Sequence, residues 1–233
     1  MHPKKASIII PAYNEEARIA ETLKAYTSFA KKYGRRCKIE LIAVCDGCTD
    51  KTPEIVRKFK SVKLIKFPAR LGKGGGVFAG FNAATGDIIG FVDADNAIVP
   101  KEFEKLITEM LDGCDCAIAS RKIPGSKIIE HGNQLKKFGS GAINLIARYI
   151  FGLDIHDAQC GAKIFKKEVV QKVLPLMRST GFEFDIELLW RVKNAGYSIK
   201  EVPVTWYAKE NSKFSMLESP KMLLSLLLRR IGL

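Results

Sequence analysis

Residues 91–96 read FVDADN, an apolar strand that ends in two carboxylates one residue apart. Because side chains alternate along a strand, Asp93 and Asp95 are predicted to share one face. Two such oxygen ligands suit Mg²⁺ or Mn²⁺ bound together with a substrate diphosphate. A solvated turn is the alternative, since Asp is also common just past the end of a strand. The rest of the chain has to decide between these two interpretations.

The sequence around this stretch alternates strand-like and helix-like segments on a short period. Apolar runs predict strands at 6–11, 39–45, 62–67, 87–92 and 116–120. Between them, Asn14 is predicted to cap a helix that begins at Glu15, and a glycine-rich loop at 72–76 is predicted to lead into a later helix. This alternation is typical of an α/β fold with a mainly parallel central sheet and helices on both faces.

Size and charge restrict the class of protein. The chain has 233 residues, 47% of them hydrophobic, which is enough for a single domain spanning 1–233. The formal net charge of +13 favours an anionic partner. Lys and Arg are spread widely rather than interleaved with aromatics, so we expect no nucleic-acid partner. The sequence has neither 18 consecutive apolar residues nor a signal-peptide pattern, and we therefore expect a cytoplasmic protein.

Four polar or glycine-rich segments lie at or just beyond the carboxyl ends of predicted strands, at 11–15, 46–50, 71–76 and 93–95. In a doubly wound sheet such ends converge on one crevice. A planar aromatic, carboxylates, a glycine loop and Lys73 as a cation that reaches phosphate together describe a nucleotide-diphosphate site. The chain lacks the P-loop pattern, and no G-x-G-x-x-G follows its first strand, so neither of those nucleotide folds is expected.

The sequence resembles the family 2 glycosyltransferases, which have the GT-A fold and transfer a sugar from a nucleotide sugar. The resemblance is carried by IIPAYNE at 9–15, DGCTDKT at 46–52 and GDIIGFVDAD at 86–95, and it extends over residues 6–215. It implies a GT-A nucleotide-diphospho-sugar transferase fold for the domain.

Three further segments are most similar to dolichyl-phosphate glucosyltransferases, namely LGKGG at 71–75, DAQCGAK at 157–163 and FDIELL at 184–189. This branch implies an inverting transfer of a hexose from UDP-glucose to a polyprenyl (dolichyl) phosphate. The related mannosyltransferases imply GDP-mannose instead. A family 2 transferase with another glycan or lipid acceptor, and a protein that binds nucleotide sugar without catalysis, remain alternatives.

The resemblance assigns the nucleoside to a group of residues near the ends of the first two strands. Pro11, Tyr13 and Glu15 match the nucleoside-binding motif of the family, and Asp46 matches a carboxylate that contacts the base. The aromatic ring is planar and the carboxylates accept N–H donors, so these residue types suit a base. We therefore expect these four residues to bind the donor.

Asp93 and Asp95 match the pair that engages the diphosphate and its metal, Mg²⁺ or Mn²⁺, in these enzymes. Asp95 is also expected to act in catalysis through this metal, and Lys73 is expected to offset the negative charge that grows on the departing nucleotide. Ala97 departs from the pattern, because mannosyl relatives carry a glutamine there that helps to hold the metal. A third protein ligand is therefore in doubt at this place.

On the acceptor side, the resemblance assigns Arg121 to the acceptor phosphate and Asp157 to the position of the base in relatives with hydroxyl acceptors. A lipid phosphate is already anionic, so Asp157 is expected to orient the site or shape the sugar pocket; a helix cap is the alternative. Lys136 and Lys137 are further expected site residues, and a solvated face is the alternative for both. A C-terminal loop that closes on phosphates is expected to contribute Lys209, Ser212 and Lys213. The residues expected near the sugar hydroxyls are Gln159, Glu183 and Asp185.

A short amphipathic helix is predicted at about 218–231, where leucines precede Arg229 and Arg230. It is too short to cross a bilayer. It could lie in the interface with its basic residues toward anionic head groups, which would make the protein peripheral on the cytoplasmic face of a membrane. Packing on the domain, or on a second subunit in a homo-oligomer, is the alternative.

Overall fold

The structure is a computed structural model that describes residues 5–34, 36–129, 148 and 150–209. Four of the expected site residues, Lys136, Lys137, Ser212 and Lys213, lie outside those residues, as does the helix predicted at 218–231. Within the described ranges, no helix combines the length and the apolar character needed to cross a membrane.

A seven-stranded sheet carries the described part of the chain, and a two-stranded sheet lies beside it. The large sheet contains β1 (Lys5–Ala12), β2 (Lys38–Asp46), β3 (Val62–Phe67), β4 (Ile88–Val92), β5 (Cys116–Ser120), β7 (Ala162–Lys166) and β8 (Ile199–Pro203). The small sheet pairs β6 (Lys127–Ile129) with β9 (Thr205–Tyr207).

The strand order of the large sheet is β3-β2-β1-β4-β7-β5-β8. β1 runs parallel to both of its neighbours, so that Ile8 lies opposite Leu41 of β2 and Gly90 of β4. β5 and β8 are parallel to each other, whereas β7 is antiparallel to β4 and β5. The prediction of a mainly parallel sheet is confirmed.

Helices cover both faces of the sheet, as predicted. They are α1 (Ile19–Tyr33), α2 (Thr52–Arg57), α3 (Lys73–Ala83), α4 (Pro100–Leu111), α5 (Lys167–Val173) and α6 (Phe184–Asn194), and a short 3₁₀ helix (Leu174–Leu176) follows α5. Leu23 of α1 and Phe103 of α4 are buried in the core of one face. Phe81, Val170 and Phe184 of α3, α5 and α6 are buried in the core of the other face. The two layers of apolar side chains hold the sheet between them.

The predicted cap of the first helix and its predicted first residue are both wrong. Asn14 does not cap a helix from Glu15, because its backbone has a φ of 50° and its side-chain oxygen accepts the Thr49 N–H at 2.8 Å. The helix begins only at Ile19, after a turn in which the Glu15 carbonyl accepts the N–H groups of residues 18 and 19. Asn14 instead joins the loop after β1 to the loop after β2.

Candidate active site

The strand order reverses at β1, since β2 and β3 lie on one side of it and β4 on the other. At such a switch point the loops after the neighbouring strands separate and leave a crevice beyond the carboxyl ends of the strands. The segments expected to bind the donor follow β1 at Tyr13, β2 at Gly47 and β4 at Asp93. The sheet therefore brings the predicted donor segments to one edge.

The two central carboxylates lie in a turn rather than on a strand. β4 ends at Val92, so the prediction that strand alternation puts Asp93 and Asp95 on one face is wrong. Side chains of α1 hold this turn, because the Thr22 hydroxyl donates to the Ala94 carbonyl at 2.6 Å and the Tyr26 hydroxyl donates to the Ile98 carbonyl at 2.8 Å. The turn is thus fixed by buried hydrogen bonds from a helix.

Asp95 belongs to a crowded anionic pair. Its Oδ1 accepts the Ala97 N–H at 2.9 Å. Burial and the negative charge of Asp93 raise the pKa of Asp95, although the Ala97 N–H and the nearby cations Arg18 and Lys73 oppose this shift. Two carboxylates that repel each other gain from a cation placed between them.

Lys73 supplies one such cation. It is the first residue of α3, and its Nζ lies 2.8 Å from Asp93 Oδ1. Burial acts to lower the pKa of Lys73, but the carboxylates of Asp93, Asp185 and Asp95 outweigh burial and raise it. The ammonium is therefore charged, and it is held at the place where the sequence predicts a diphosphate.

The glycine-rich stretch belongs to a packed helix that begins at Lys73, so the prediction of a loop over 72–76 is wrong. The Asp46 carboxylate accepts the N–H groups of Leu71 and Gly72, the latter at 3.0 Å. The Thr180 carbonyl accepts the N–H groups of Gly74 and Gly75 at 2.8 and 3.3 Å. A Cβ at Gly72 would collide with that same carbonyl. Small residues here permit close packing, and these N–H groups already have partners.

The other donor-side residues form contacts between loops. The guanidinium of Arg70 lies 3.7 Å from the centre of the Tyr13 ring. Glu15 is buried, with 8% of its surface exposed, and its carboxylate accepts hydrogen bonds from Arg18 at 2.8 and 2.9 Å. Pro11 lies in β1 opposite Val44. Arg70 and Arg18 were missed by sequence reasoning, and the sequence contains no motif that marks them.

On the acceptor side, Arg121 and Asp157 form a bidentate ion pair. Nε and Nη2 of Arg121 donate to Oδ2 and Oδ1 of Asp157 at 2.7 and 2.8 Å, and the Arg121 backbone N–H also donates to Oδ2. Although burial raises the pKa of Asp157, the hydrogen bonds and charge of Arg121 outweigh it and lower that pKa. The Arg121 guanidinium also lies 5.4 Å from the Trp206 ring.

A tight turn connects the acceptor side to the central carboxylates. The Cys160 N–H donates to the Asp157 carbonyl at 3.2 Å, and the Asp93 N–H donates to the Gly161 carbonyl at 2.9 Å. A Cβ at Gly161 would collide with the Asp93 carboxylate. The DAQCGAK segment therefore places Asp157 and Asp93 relative to each other, which sequence spacing alone does not indicate.

A buried ion pair supports this turn. The Nζ of Lys163 donates to the Cys160 carbonyl at 2.8 Å and lies 2.5 Å from Asp185 Oδ1. Lys163 and Asp185 are 0% and 2% exposed, so Asp185 is a structural partner of Lys163, and its expected contact with sugar hydroxyls stays a prediction. The other two residues expected near the sugar hydroxyls are Gln159 and Glu183. Gln159 donates to the Phe182 carbonyl at 3.5 Å. Glu183 precedes α6, and its carbonyl accepts the Ile186 N–H.

Lys209 lies near the end of the described chain and contacts α1. Its Nζ is 3.4 Å from Glu21 Oε1, the atom that also accepts a hydrogen bond from Asn96 at 3.0 Å. Asn96 adjoins Asp95, so this contact brings Lys209 to the loop that follows the central carboxylates. The expectation that Lys209 contacts phosphates stays a prediction.

The residues present fit a divalent cation that is shared with a diphosphate. Among the described residues, no three His, Cys, Asp or Glu side chains cluster to hold a metal by themselves. Asp93 and Asp95 nevertheless offer oxygens from a pair whose mutual repulsion a cation would relieve. Mg²⁺ is commonly held by one or two carboxylates together with substrate phosphates and water. This donor set matches that arrangement.

Comparison with known proteins adds a family to this geometry. A model described as "Glycosyl transferase family 2" matches residues 7–174. The chain is 32% identical to the dolichyl-phosphate beta-glucosyltransferase of Saccharomyces cerevisiae over 251 residues, covering 97% of this chain and 74% of the relative. It is 28% identical to the polyprenol monophosphomannose synthase of Mycolicibacterium smegmatis over 217 residues, covering 89% and 79%.

Another relative is much longer than this chain. The glycosyltransferase AglD of Haloferax volcanii is 29% identical over 217 residues, and the match covers 91% of this chain but only 34% of that protein. Among solved structures, glucosyl-3-phosphoglycerate synthase from Mycobacterium tuberculosis, crystallised with Mn²⁺, UDP and phosphoglyceric acid, superposes with a TM-score of 0.71 at 21% identity, covering 99% of this chain and 79% of that one. With the family match, this likeness confirms the predicted GT-A fold.

Proposed function

This chain belongs to glycosyltransferase family 2, and from that premise we propose that it transfers a hexose from a nucleotide sugar to a polyprenyl phosphate, with inversion at the anomeric carbon. UDP-glucose is the proposed donor. The relatives named as dolichyl-phosphate beta-glucosyltransferases support this choice, since they match over nearly the whole chain in yeast, Dictyostelium discoideum and human.

The Lys73–Asp93 pair at the switch point is the single observation that carries this proposal. The Lys73 ammonium lies 2.8 Å from the Asp93 carboxylate, and the Asp95 carboxylate interacts electrostatically with both. A departing nucleoside diphosphate gains negative charge as its bond to the sugar breaks, and a fixed cation lowers the energy of that state. Lys73 is therefore proposed to stabilise the leaving group.

The acceptor is proposed to bind beside Arg121. An oxygen of the lipid phosphate attacks the anomeric carbon opposite the diphosphate, so that one C–O bond forms as the other breaks. Because the attacking oxygen is already anionic, no base has to remove a proton. The bidentate contact leaves Asp157 occupied by Arg121, which supports an orienting role for Asp157 and a phosphate-binding role for Arg121.

Asp93 and Asp95 would hold the proposed Mg²⁺ or Mn²⁺. When bound, such a cation offsets charge on the diphosphate as a Lewis acid. The solved relatives crystallised with Mn²⁺ or Mg²⁺ and UDP support this assignment. With a lipid acceptor, the protein is also proposed to work at a membrane surface, and its net charge of +13 favours anionic head groups.

GDP-mannose is the second candidate donor. The mycobacterial polyprenol monophosphomannose synthase, which matches 89% of this chain, favours it. The hydrogen bonds of the Asp46 carboxylate to Leu71 and Gly72 do not distinguish uracil from guanine. The donor therefore has to be tested directly.

A partition assay tests the proposal. The protein is incubated with dolichyl phosphate in detergent, Mg²⁺ or Mn²⁺, and either radiolabelled UDP-glucose or radiolabelled GDP-mannose. We expect an acid-labile product that enters the organic phase with UDP-glucose. Label found only in water-soluble products, or no transfer from either donor, contradicts the proposed acceptor. Organic-phase product from GDP-mannose alone would replace the donor and keep the acceptor.

A further inference from the structure

The two oxygens of the Asp93 carboxylate have different surroundings. Oδ2 lies so close to Gly161 that a Cβ on residue 161 would collide with it. Oδ1 lies 2.8 Å from Lys73 Nζ. The Asp93 N–H donates to the Gly161 carbonyl at 2.9 Å, which fixes the backbone beneath this carboxylate. A cation that binds Oδ1 of Asp93 therefore has to share this oxygen with the ammonium or displace it.

The backbone of Lys73 is fixed, whereas its side chain is long and unbranched. Asp46 holds the N–H of Gly72 just before it, and the Thr180 carbonyl holds the N–H groups of Gly74 and Gly75 just after it. The Nζ lies 5.6 Å from the Phe182 ring, so an aromatic face borders the ammonium. Rotation of the four-carbon stem can therefore separate the ammonium of Lys73 from Asp93 without moving the backbone.

We propose that Lys73 is an internal counter-cation for Asp93, which keeps a divalent metal ion from binding until a nucleoside diphosphate draws the ammonium away. This inference rests on the proposed donor class. The diphosphate brings negative charges that attract the Lys73 ammonium, and the freed Oδ1 then joins the diphosphate oxygens around the metal. Metal binding is thereby coupled to donor binding, and the metal alone binds weakly because the ammonium already occupies Oδ1 and repels a second cation.

Electron paramagnetic resonance of free Mn²⁺ tests this inference without any activity measurement. The Mn²⁺ dissociation constant is measured for the wild type and for Lys73→Met, with and without UDP, and a protein-free sample corrects for Mn²⁺ bound by UDP in solution. We expect UDP to tighten Mn²⁺ binding by the wild type at least about tenfold, and Lys73→Met to bind Mn²⁺ at least about tenfold tighter than the wild type without UDP.

Two matched variants control the measurement. Lys166→Met removes another lysine from a Lys–Asp pair of 2.7 Å, with Asp115, and should leave Mn²⁺ binding unchanged. Adding Asp93→Asn to Lys73→Met should abolish the gain. Equal Mn²⁺ affinity of Lys73→Met and the wild type without UDP overturns the inference, provided that circular dichroism shows a folded variant.

The wild type decides the question if Lys73→Met does not fold. Tight Mn²⁺ binding by the wild type without UDP, unchanged when UDP is added, then overturns the inference, whereas tightening by UDP supports it. Lys73→Met could also bind Mn²⁺ more tightly than the wild type while UDP changes the Mn²⁺ affinity of neither protein. This result would count against the proposed nucleotide donor and leave the counter-cation role of Lys73 in place.

Discussion

The guanidinium of Arg121 and the carboxylate of Asp157 share two parallel hydrogen bonds of 2.7 and 2.8 Å, and Asp157 is fully buried. The Glu201 carboxylate accepts the backbone N–H groups of His156 and Asp157 at 3.0 and 3.1 Å. Arg121 is thus aimed by a carboxylate that is itself fixed from β8. This arrangement fits the two roles proposed above, in which Asp157 positions Arg121 and Arg121 binds the acceptor phosphate.

Asp157→Asn should destabilise the fold. The substitution removes the charge that balances the largely buried Arg121, and breaking a buried pair on one side typically costs about 3 kcal/mol. Urea unfolding measures the loss. Glu54→Gln is the control, because Glu54 and Arg57 form an exposed pair on α2, for which a change below about 0.5 kcal/mol is expected. Equal effects of the two substitutions would show that burial of Asp157 contributes nothing.

Arg121→Lys should impair acceptor use more than donor binding. Lysine keeps the positive charge but cannot make the bidentate contact to Asp157, so the cation loses its orientation. We expect the acceptor KM to rise about tenfold or more while UDP affinity, measured by calorimetry, stays within about twofold. A parallel loss of UDP affinity would place Arg121 on the donor side.

Asp95→Asn should abolish transfer. The amide oxygen can still accept the Ala97 N–H, so the turn is kept while the charge that would hold a metal is lost. We expect activity to fall at least about 100-fold, with EDTA producing a similar loss in the wild type. Asp112→Asn, at the end of α4, should retain activity. A fully active Asp95→Asn variant together with an EDTA-resistant wild type would exclude the metal assignment.

Gly72→Ala should destabilise the protein more than Gly113→Ala. Both glycines have positive φ, of 88° and 102°, so both substitutions incur a backbone strain of about 1 kcal/mol or more. A Cβ at Gly72 also collides with the Thr180 carbonyl, whereas one at Gly113 meets nothing within 4 Å. We expect at least about 2 kcal/mol of additional loss for Gly72→Ala in urea unfolding. Equal losses would mean that the loop around Thr180 moves away freely.

Glu40 should make stability depend on acid pH. Burial alone raises the pKa of Glu40, but hydrogen bonds from Ser7, Thr85 and Lys5 outweigh it and lower the pKa from 4.5 to about 2. The ionised carboxylate therefore stabilises the fold above about pH 4.5, and this contribution, at most about 3 kcal/mol, is lost as the pH falls toward 2.

Glu40→Gln should reduce the change in the free energy of unfolding between pH 5 and 2, as measured by urea titration at several pH values. Ser7→Ala should reduce this pH dependence only in part, because the Ser7 hydroxyl is only one of the donors to Glu40. An unchanged pH slope in Glu40→Gln would assign the acid sensitivity to other groups.

Strand prediction failed where a charged residue is buried. β7 was not predicted, because Lys163 interrupts its apolar sequence. That lysine is 0% exposed and is tolerated only because Asp185, from α6, neutralises it at 2.5 Å. In β1 to β5 the buried charged residue is Asp46, which lies at the last position of β2 and so does not interrupt an apolar run. The approximate bounds of these five strands are therefore predictable from apolar runs.

The sequence by itself determined the fold class and predicted the edge of the sheet for the candidate site, because apolar periodicity and the polar residues at strand ends are local properties of the chain. Only the tertiary structure decided the partners of the charged groups. Lys73 pairs with Asp93, Asp157 with Arg121, and the glycine N–H groups of α3 with Thr180. These contacts join loops that are distant along the chain, and the packing of both helix layers on the sheet sets which of these loops meet.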